Sequence, residues 1–264
     1  MVRRTISPTA DQADHIVPVV AMVPMRLSDP ARRLFFRVCR SIFLYLDAMN
    51  RDNSVLSTSR FWDQRYRAGD SHWDLGSPTP VFVDLLARSI LPRVGSIAVL
   101  GCGRGYDSIL FAKGGFNVTA IDFSPLALAD AADRIRGEGV AVRLLEHDLF
   151  SLPDSLTAQF DYVLEYVTYC AIDPERRMEF LKVVERILRP EGIFIGLFFP
   201  VDGRPAGPPF SVDVDEVKNE LQTRFDLILQ EIPETSVKPR KGKEVLMIWR
   251  KRTSAQSSER GGMQ

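Results

Sequence analysis

From residue 96 to residue 250 the apolar positions switch repeatedly between two periods, and that alternation predicts the fold. Short, nearly unbroken apolar runs predict buried strands over 96–100, 116–121, 141–145, 162–166 and 193–199. Apolar residues three and four apart predict helices over 80–89, 107–113, 125–136 and 174–188. Gly114-Gly115 ends the second of these helices, and Arg189-Pro190-Glu191-Gly192 reads as a turn. A helix over 214–223 then precedes two apolar segments, 225–232 and 244–250, that read as an antiparallel closing pair. Seven strands alternating with helices imply an α/β, Rossmann-like sheet, mostly parallel, with helices on both faces and an antiparallel last strand. Ligands of such sheets sit beyond the carboxyl ends of the strands.

The flanks have other patterns. Residues 1–28 show neither period and predict a disordered arm, as does the polar tail over 253–264. Within 29–59, Leu34, Phe35, Val38, Ile42 and Leu46 share a helix with Arg32, Arg33, Arg37 and Arg40, after the start signal Ser28-Asp29-Pro30. The charges are too frequent for a membrane span. The preferred reading is an amphipathic helix docked on the domain; association with a membrane surface through 31–49 is the alternative. A short helix over 61–66 and a turn-rich stretch over 69–80 open the main domain, taken as 60–252.

Composition narrows the function classes. The 264 residues carry 34 basic and 34 acidic side chains, so no net positive charge calls for a nucleic acid. Cys39, Cys102 and Cys170 lie far apart and form neither a disulfide framework nor a metal motif, which points to a reducing, cytoplasmic setting. His15, His72 and His147 are scattered, and no metal centre is expected. Nothing in the pattern fixes an oligomeric state.

The candidate chemistry begins at Gly101-Cys102-Gly103-Arg104-Gly105-Tyr106-Asp107, directly after the first strand. Glycines at 101, 103 and 105 allow a tight turn into a helix and bare-backbone contact with a ligand. Asp107 stands in the first helical turn, and free N–H groups there attract an anion, such as the carboxylate of an amino-acid moiety. A dinucleotide fingerprint would need glycine at 106, where Tyr106 stands. Asp122 closes the second strand, placed to accept two ribose hydroxyls, with Phe123 beside it. Asp148, directly before Leu149, ends the third strand and is placed to receive an adenine amino group; a helix cap is its plainer role. Together these positions favour S-adenosylmethionine over a dinucleotide. Cys102 and Cys170 read as small packing residues.

Several segments resemble the thiopurine S-methyltransferase family, and within it the halide/thiol methyltransferase branch. They include Phe61-Trp62-Asp63-Gln64-Arg65-Tyr66, His72-Trp73-Asp74-Leu75-Gly76, the glycine loop, Ile121-Asp122-Phe123-Ser124, and the run from Glu165 through Tyr166, Tyr169 and Cys170 to Pro174. Gly207-Pro208-Pro209-Phe210 and Arg240-Lys241-Gly242-Lys243-Glu244 extend the match, which spans 60–252. The resemblance implies a class I methyltransferase fold, S-adenosylmethionine as donor, and a small-molecule acceptor with a soft nucleophile: a thiol, sulfide or halide. It also implies that Trp62, Tyr66 and Trp73 form an aromatic lid facing the sulfonium cation, that Glu165 contributes to the cofactor site, and that Tyr166 and Tyr169 orient the acceptor. An anionic acceptor needs no base, and no nucleophile–base set is evident in the sequence. Phe199 stands where some relatives carry tyrosine. The 207–210 segment reads as a stiff loop that walls the acceptor pocket or simply turns, and the basic run 238–243 as a solvated loop. Methylation of bulkier aromatic thiols or of selenium and tellurium species is the second reading, and a non-catalytic cofactor-binding or membrane-surface module the third.

Overall fold

The computed structural model describes residues 53–253. The expected arm, the amphipathic helix over 31–49 and most of the polar tail lie outside the described residues.

Helices α1 (Ser59–Ala68) and α2 (Pro80–Ala87) precede a seven-stranded sheet. It is built from β1 (Ser96–Leu100), β2 (Asn117–Asp122), β3 (Val142–Glu146), β4 (Phe160–Tyr166), β5 (Leu188–Phe198), β6 (Phe225–Glu231) and β7 (Val245–Lys251). Between the strands run α3 (Tyr106–Lys113), α4 (Pro125–Glu138), α5 (Arg177–Ile187) and α6 (Val214–Leu221). The spatial order is β3-β2-β1-β4-β5-β7-β6, and only β7 runs against its neighbours. This is the mixed sheet that the alternating pattern predicted, with the last strand antiparallel.

Local chemistry sets the boundaries. Pro80 and Pro125 sit at the first helical positions of α2 and α4, where the missing N–H removes no bond. Ser124 caps α4 by accepting from the Ala127 N–H, and Asp213 caps α6 by accepting from Asp215 and Glu216. Gly69 and Gly139 end α1 and α4 in the left-handed region.

Alternation along each strand divides the core. Ile97 and Val99 of β1 join Val81, Phe82 and Leu85 of α2 and Phe111 of α3 on one face. Ala98 and Leu100 join Phe180, Val184 and Ile187 of α5 on the other. The two-residue side-chain period of a strand makes this division inevitable. In β5, Gly196 leaves room for a ring: a Cβ there would lie 2.7 Å from the Phe198 ring.

One expectation needs correcting. Arg189–Gly192 does not separate a helix from a strand; β5 begins at Leu188 and carries the segment as a bulge. Leu188 pairs with Phe160 and Ile193 with Tyr162, so five residues on β5 advance against two on β4. Glu191, at φ 63°, absorbs the excursion. The predicted helix over 174–188 is correspondingly a single 3-10 turn over Pro174–Arg176 that leads into α5.

Parallel register aligns the site. Leu100 lies opposite Ile121 on one side and Glu165 on the other, so the ends of β1, β2 and β4 meet. The sheet reverses its strand order between β1 and β4, the switch point where ligands of this architecture bind.

Candidate active site

A cavity of about 500 Å³ opens at that switch point. Its walls include the glycine loop, the ends of β2 and β3, the chain after β4, the 208–209 prolines and the flap formed by α1 and residues 69–79. Of the residues singled out in the sequence, Trp62, Tyr66, Trp73, Gly101, Gly103, Asp107, Asp122, Phe123, Asp148, Leu149 and Tyr166 all line it. Gly105, Glu165 and Tyr169 do not.

The glycine loop is shaped by what surrounds it. Gly101 has φ 60°, and a Cβ there would lie 2.2 Å from Thr168 Oγ1. Thr168 in turn donates to the Leu100 carbonyl, tying the loop to the chain after β4. At Gly103 (φ 52°) a Cβ would face the Tyr66 hydroxyl at 3.1 Å. Gly105 serves packing instead: a Cβ there would sit 3.1 Å from Ala131 Cβ on α4.

The acids at the strand ends are held by backbone N–H groups and keep acceptor capacity toward the cavity. Asp122 accepts from Gly103 N at 2.9 Å through one oxygen and from Ser124 N at 2.9 Å through the other. The Phe123 N–H is a third backbone donor to the same carboxylate, so one of its four lone-pair positions remains. Burial pushes the Asp122 carboxyl above its ordinary value despite these bonds. Asp148 caps the 3-10 turn Leu149–Ser151, accepting from Phe150 N through Oδ1, and so it does serve as a cap. Its second oxygen carries no such bond to the turn.

Asp107 does something the sequence did not show. Its two oxygens accept from Thr79 N at 2.7 Å and Thr79 Oγ1 at 2.8 Å, fastening the end of the flap to the glycine loop. Burial pushes its carboxyl up to about 6. Two further bonds hold the flap. Asp63 on α1 is 7% exposed and accepts from Ser124 Oγ at 2.6 Å. Arg104 pairs with Asp74 at 2.8 Å, and its guanidinium carbon lies 5.3 Å from the Tyr66 ring centre. Within the flap, Trp73 stands edge-on to both Trp62 and Tyr66, with centroids 5.4 and 5.5 Å apart. The Trp62 indole donates to the Leu56 carbonyl at 2.9 Å.

Past β4 the two tyrosines part. Val167 takes φ 57°, which breaks the strand and turns the next residues away from its line. Tyr166 faces the cavity, whereas Tyr169 is 3% exposed, wedged edge-on to Phe180 and Phe198 with Arg177 over its ring. Tyr169 therefore packs in the core and, unlike Tyr166, does not line the cavity. Glu165 is likewise internal: its Oε1 accepts from Thr168 N and Tyr169 N, holding that turn. Its Oε2 is buried without a partner, and burial pushes the carboxyl up to about 7. Cys170 lines the cavity but is 2% exposed, and burial pushes its thiol far up, away from the reactive thiolate.

The basic run read as a solvated loop holds a buried arginine. Arg240 is 5% exposed and lines the cavity. It donates to the Tyr166 hydroxyl, to the Trp73 carbonyl at 2.8 Å and to the His72 carbonyl at 3.4 Å. Its guanidinium also lies over the rings of Tyr166 and Phe199, 5.2 and 4.9 Å from their centres. The ring of Phe199 thus serves with that of Tyr166 as a platform for the cation. Glu244, 1% exposed, accepts from the Tyr166 hydroxyl.

Comparison with known proteins agrees with this geometry. The model of the thiopurine S-methyltransferase family matches residues 57–256. A probable thiol methyltransferase 2 of Arabidopsis thaliana is 34% identical over 205 residues, covering 76% of this chain and 89% of that protein. Thiocyanate methyltransferase 1 of Brassica oleracea is 34% identical over 194 residues, covering 72% of this chain and 84% of that protein. Among solved structures, a Burkholderia thailandensis 1,6-didemethyltoxoflavin-N1-methyltransferase holding S-adenosylhomocysteine superposes with a TM-score of 0.58 at 22% identity. The match covers 88% of this chain and 94% of that one, and it supports the fold. The glycine cradle, the two acids with lone pairs to offer and the aromatic flap fit an adenosine-bearing sulfonium. The chain belongs to the thiopurine S-methyltransferase family and is an S-adenosylmethionine-dependent S-methyltransferase.

Proposed function

We propose that the protein methylates a small, soft, anionic or readily ionised acceptor: a thiol, bisulfide or a halide. The carrying observation is the buried Arg240 guanidinium on an otherwise aromatic and apolar stretch of wall that includes Tyr166, Phe199, Pro208 and Pro209. A cation with little water around it attracts an anion far more strongly than an exposed one. Its weakly hydrated, planar face suits polarisable anions that shed water easily.

S-adenosylmethionine supplies an electrophilic methyl group on a sulfonium. For holding it, the structure offers Asp122 to the ribose hydroxyls, the free oxygen of Asp148 to the adenine amino group, and Phe123 and Leu149 as packing beside them. The N-terminus of α3, behind Gly101 and Gly103, offers N–H groups to the carboxylate. Asp107 stands in that first turn, but its carboxylate is turned to Thr79. Trp62, Tyr66 and Trp73 form the aromatic face toward the cation, worth roughly 0.5–2 kcal/mol. Closure of the flap keeps water out. Alignment of two bound partners then supplies most of the acceleration, on the order of 7–11 kcal/mol in well-oriented cases. A cavity of about 500 Å³ suits one drug-sized ligand plus a small acceptor, which favours small acceptors over thiopurine-sized ones. The kinship with a thiol and a thiocyanate methyltransferase supports the same class.

Headspace chromatography of the protein with S-adenosylmethionine and bisulfide, methanethiol or iodide tests this reading. Volatile methyl products are expected; turnover of a thiopurine with none of the three small acceptors would overturn it.

A further inference from the structure

The Tyr166 hydroxyl donates to Oε1 of Glu244 and accepts from Nη1 of Arg240. Tyr166 and Arg240 line the cavity, whereas Glu244 stands behind them, 1% exposed. A phenol oxygen has two acceptor positions, so one remains beside the Arg240 bond. The arrangement is a buried carboxylate linked through one hydroxyl to the wall of the acceptor site.

That link bears on a distinction between acceptors. Iodide and thiocyanate carry no proton. A thiol with a cysteine-like pKa of about 8.5 is only about 0.3% thiolate at pH 6, and a simple alkyl thiol still less. We propose that Tyr166 and Glu244 form a proton relay that removes the proton of thiol acceptors during methyl transfer. The S–H proton passes to Tyr166 Oη while the phenol's own proton passes to Glu244 Oε1. The electron pair left on sulfur forms the new S–C bond. The methyl carbon's old bond to the donor sulfonium breaks, both electrons staying with that sulfur. Glu244 then returns its proton to solvent when the flap opens. The inference rests on the acceptor site proposed above.

Charge balance favours the scheme. Before the transfer Arg240 faces the Glu244 carboxylate through Tyr166; as the proton moves it faces the developing negative charge on sulfur and a neutral acid. Once the methyl has moved the sulfonium charge is gone too, so the net charge of the interior is unchanged until Glu244 releases its proton. The charges that bear on the Tyr166 hydroxyl are those of Arg240 and Glu244, and burial holds the phenol above its ordinary range. The oxygen therefore keeps a proton between turnovers and acts as a conduit rather than a base. Cys170 on the same wall feels Glu165, Arg177 and Arg240, and its own proton is held firmly by burial.

The test is kcat/KM from pH 5.5 to 9.5 for cysteamine, a thiol with a cysteine-like pKa of about 8.5, and for iodide, in wild type, Glu244→Gln and Tyr166→Phe, measured as S-adenosylhomocysteine formation. In each variant the thiol-to-iodide ratio at pH 6 is expected to fall roughly 100-fold, within the range for general base catalysis. It is expected to recover as pH passes the thiol's own pKa, because the free thiolate then needs no base. A ratio unchanged by either substitution, or lowered equally at every pH, overturns the relay. Tyr166→Phe keeps the test decisive if Glu244→Gln fails to fold. A second readout omits the donor: the thiolate absorbance band of an aromatic thiol bound to cofactor-free protein. Wild type is expected to show that band below the thiol's free pKa and Glu244→Gln to lack it. Wild-type protein that methylates neither acceptor overturns the acceptor reading itself, a result distinct from a pH-independent ratio.

Discussion

Removing the bond between Arg104 and Asp74 is expected to loosen the flap and weaken cofactor binding without touching the acceptor wall. Asp74 is 9% exposed and Arg104 23%, so their 2.8 Å bond is partly desolvated. A charge-assisted bond of that kind contributes about 1.5–3 kcal/mol. The guanidinium above the Tyr66 ring adds roughly 0.5–1 kcal/mol. Arg104 also donates to Ser71 Oγ in the flap at 3.4 Å, a weak bond, and to Asp130, which is 50% exposed and not part of the flap, so that pair adds little to closure. Closure then loses on the order of 2–4 kcal/mol, a factor of at least 30 in the closed-to-open ratio. Asp63–Ser124 and the Arg240 bonds to the His72 and Trp73 carbonyls survive and limit the damage. Calorimetric titration with S-adenosylhomocysteine is expected to show affinity falling about tenfold to a hundredfold in Arg104→Ala. Asp74→Asn, which keeps an oxygen for the Gly76 N–H, is expected to lose nearly as much. The double variant is expected to lose little more than either single one. Additive losses, or an Asp74→Asn variant that binds like wild type, would refute the latch and point to direct contact between Arg104 and the ligand.

Two further outcomes rest on buried groups. Glu165 has its carboxyl pushed up from 4.5 to about 7 by burial, so the ionised form is the penalised one. Its share of stability is complete below about pH 4.5 and is lost as pH rises through 7. Glu165→Gln, which cannot ionise, is expected to exceed wild type at pH 8 by up to about 3 kcal/mol in urea unfolding and to match it near pH 4.5; lower stability at pH 8 would contradict the account. Gly101→Ala places a Cβ 2.2 Å from Thr168 Oγ1 on a backbone with φ 60°. It is expected to cost about 2–5 kcal/mol from overpacking plus left-handed strain. A second change, Thr168→Ala, is expected to restore the overpacking part alone; full recovery would show that the backbone conformation carries no strain.

Much of the scaffold was legible because it is local. Each parallel strand is a short apolar run, and Pro80, Pro125 and Gly139 punctuate the helices where capping chemistry requires. The glycine loop with Asp122 and Asp148 was readable for the same reason: each comes directly after or at the end of a strand, and parallel strands put their ends together. What escaped the sequence depends on contacts between distant positions. Arg240 meets Tyr166 across 74 residues and the Trp73 carbonyl across 167, and a lysine-rich neighbourhood disguises it as a surface residue. The adjacent Pro239 and the buried β7 just beyond were the available signal that this loop turns inward. Tyr169 was misplaced because spacing alone cannot reveal that Val167 enters the left-handed region and sends the next side chains into the core. The bulge at Arg189–Gly192 escaped for a related reason: Pro and Gly mark a turn, but only the pairing of Leu188 with Phe160 shows the strand continuing around it.

The 167-residue reach of Arg240 also separates the two halves of the cavity in time during synthesis. The flap, the glycine loop and the first four strands emerge from the ribosome long before Arg240 and Glu244 do. The acceptor wall is completed only when the final strand slots between β5 and β6, carrying the loop ahead of it into place. A nascent or truncated chain ending before residue 240 would keep every signature by which the donor site is recognised and have neither Arg240 nor Glu244. On the proposed acceptor site, exchanging the loop at 232–244 between relatives is expected to alter acceptor choice while leaving the glycine loop and the strand-end acids as they stand.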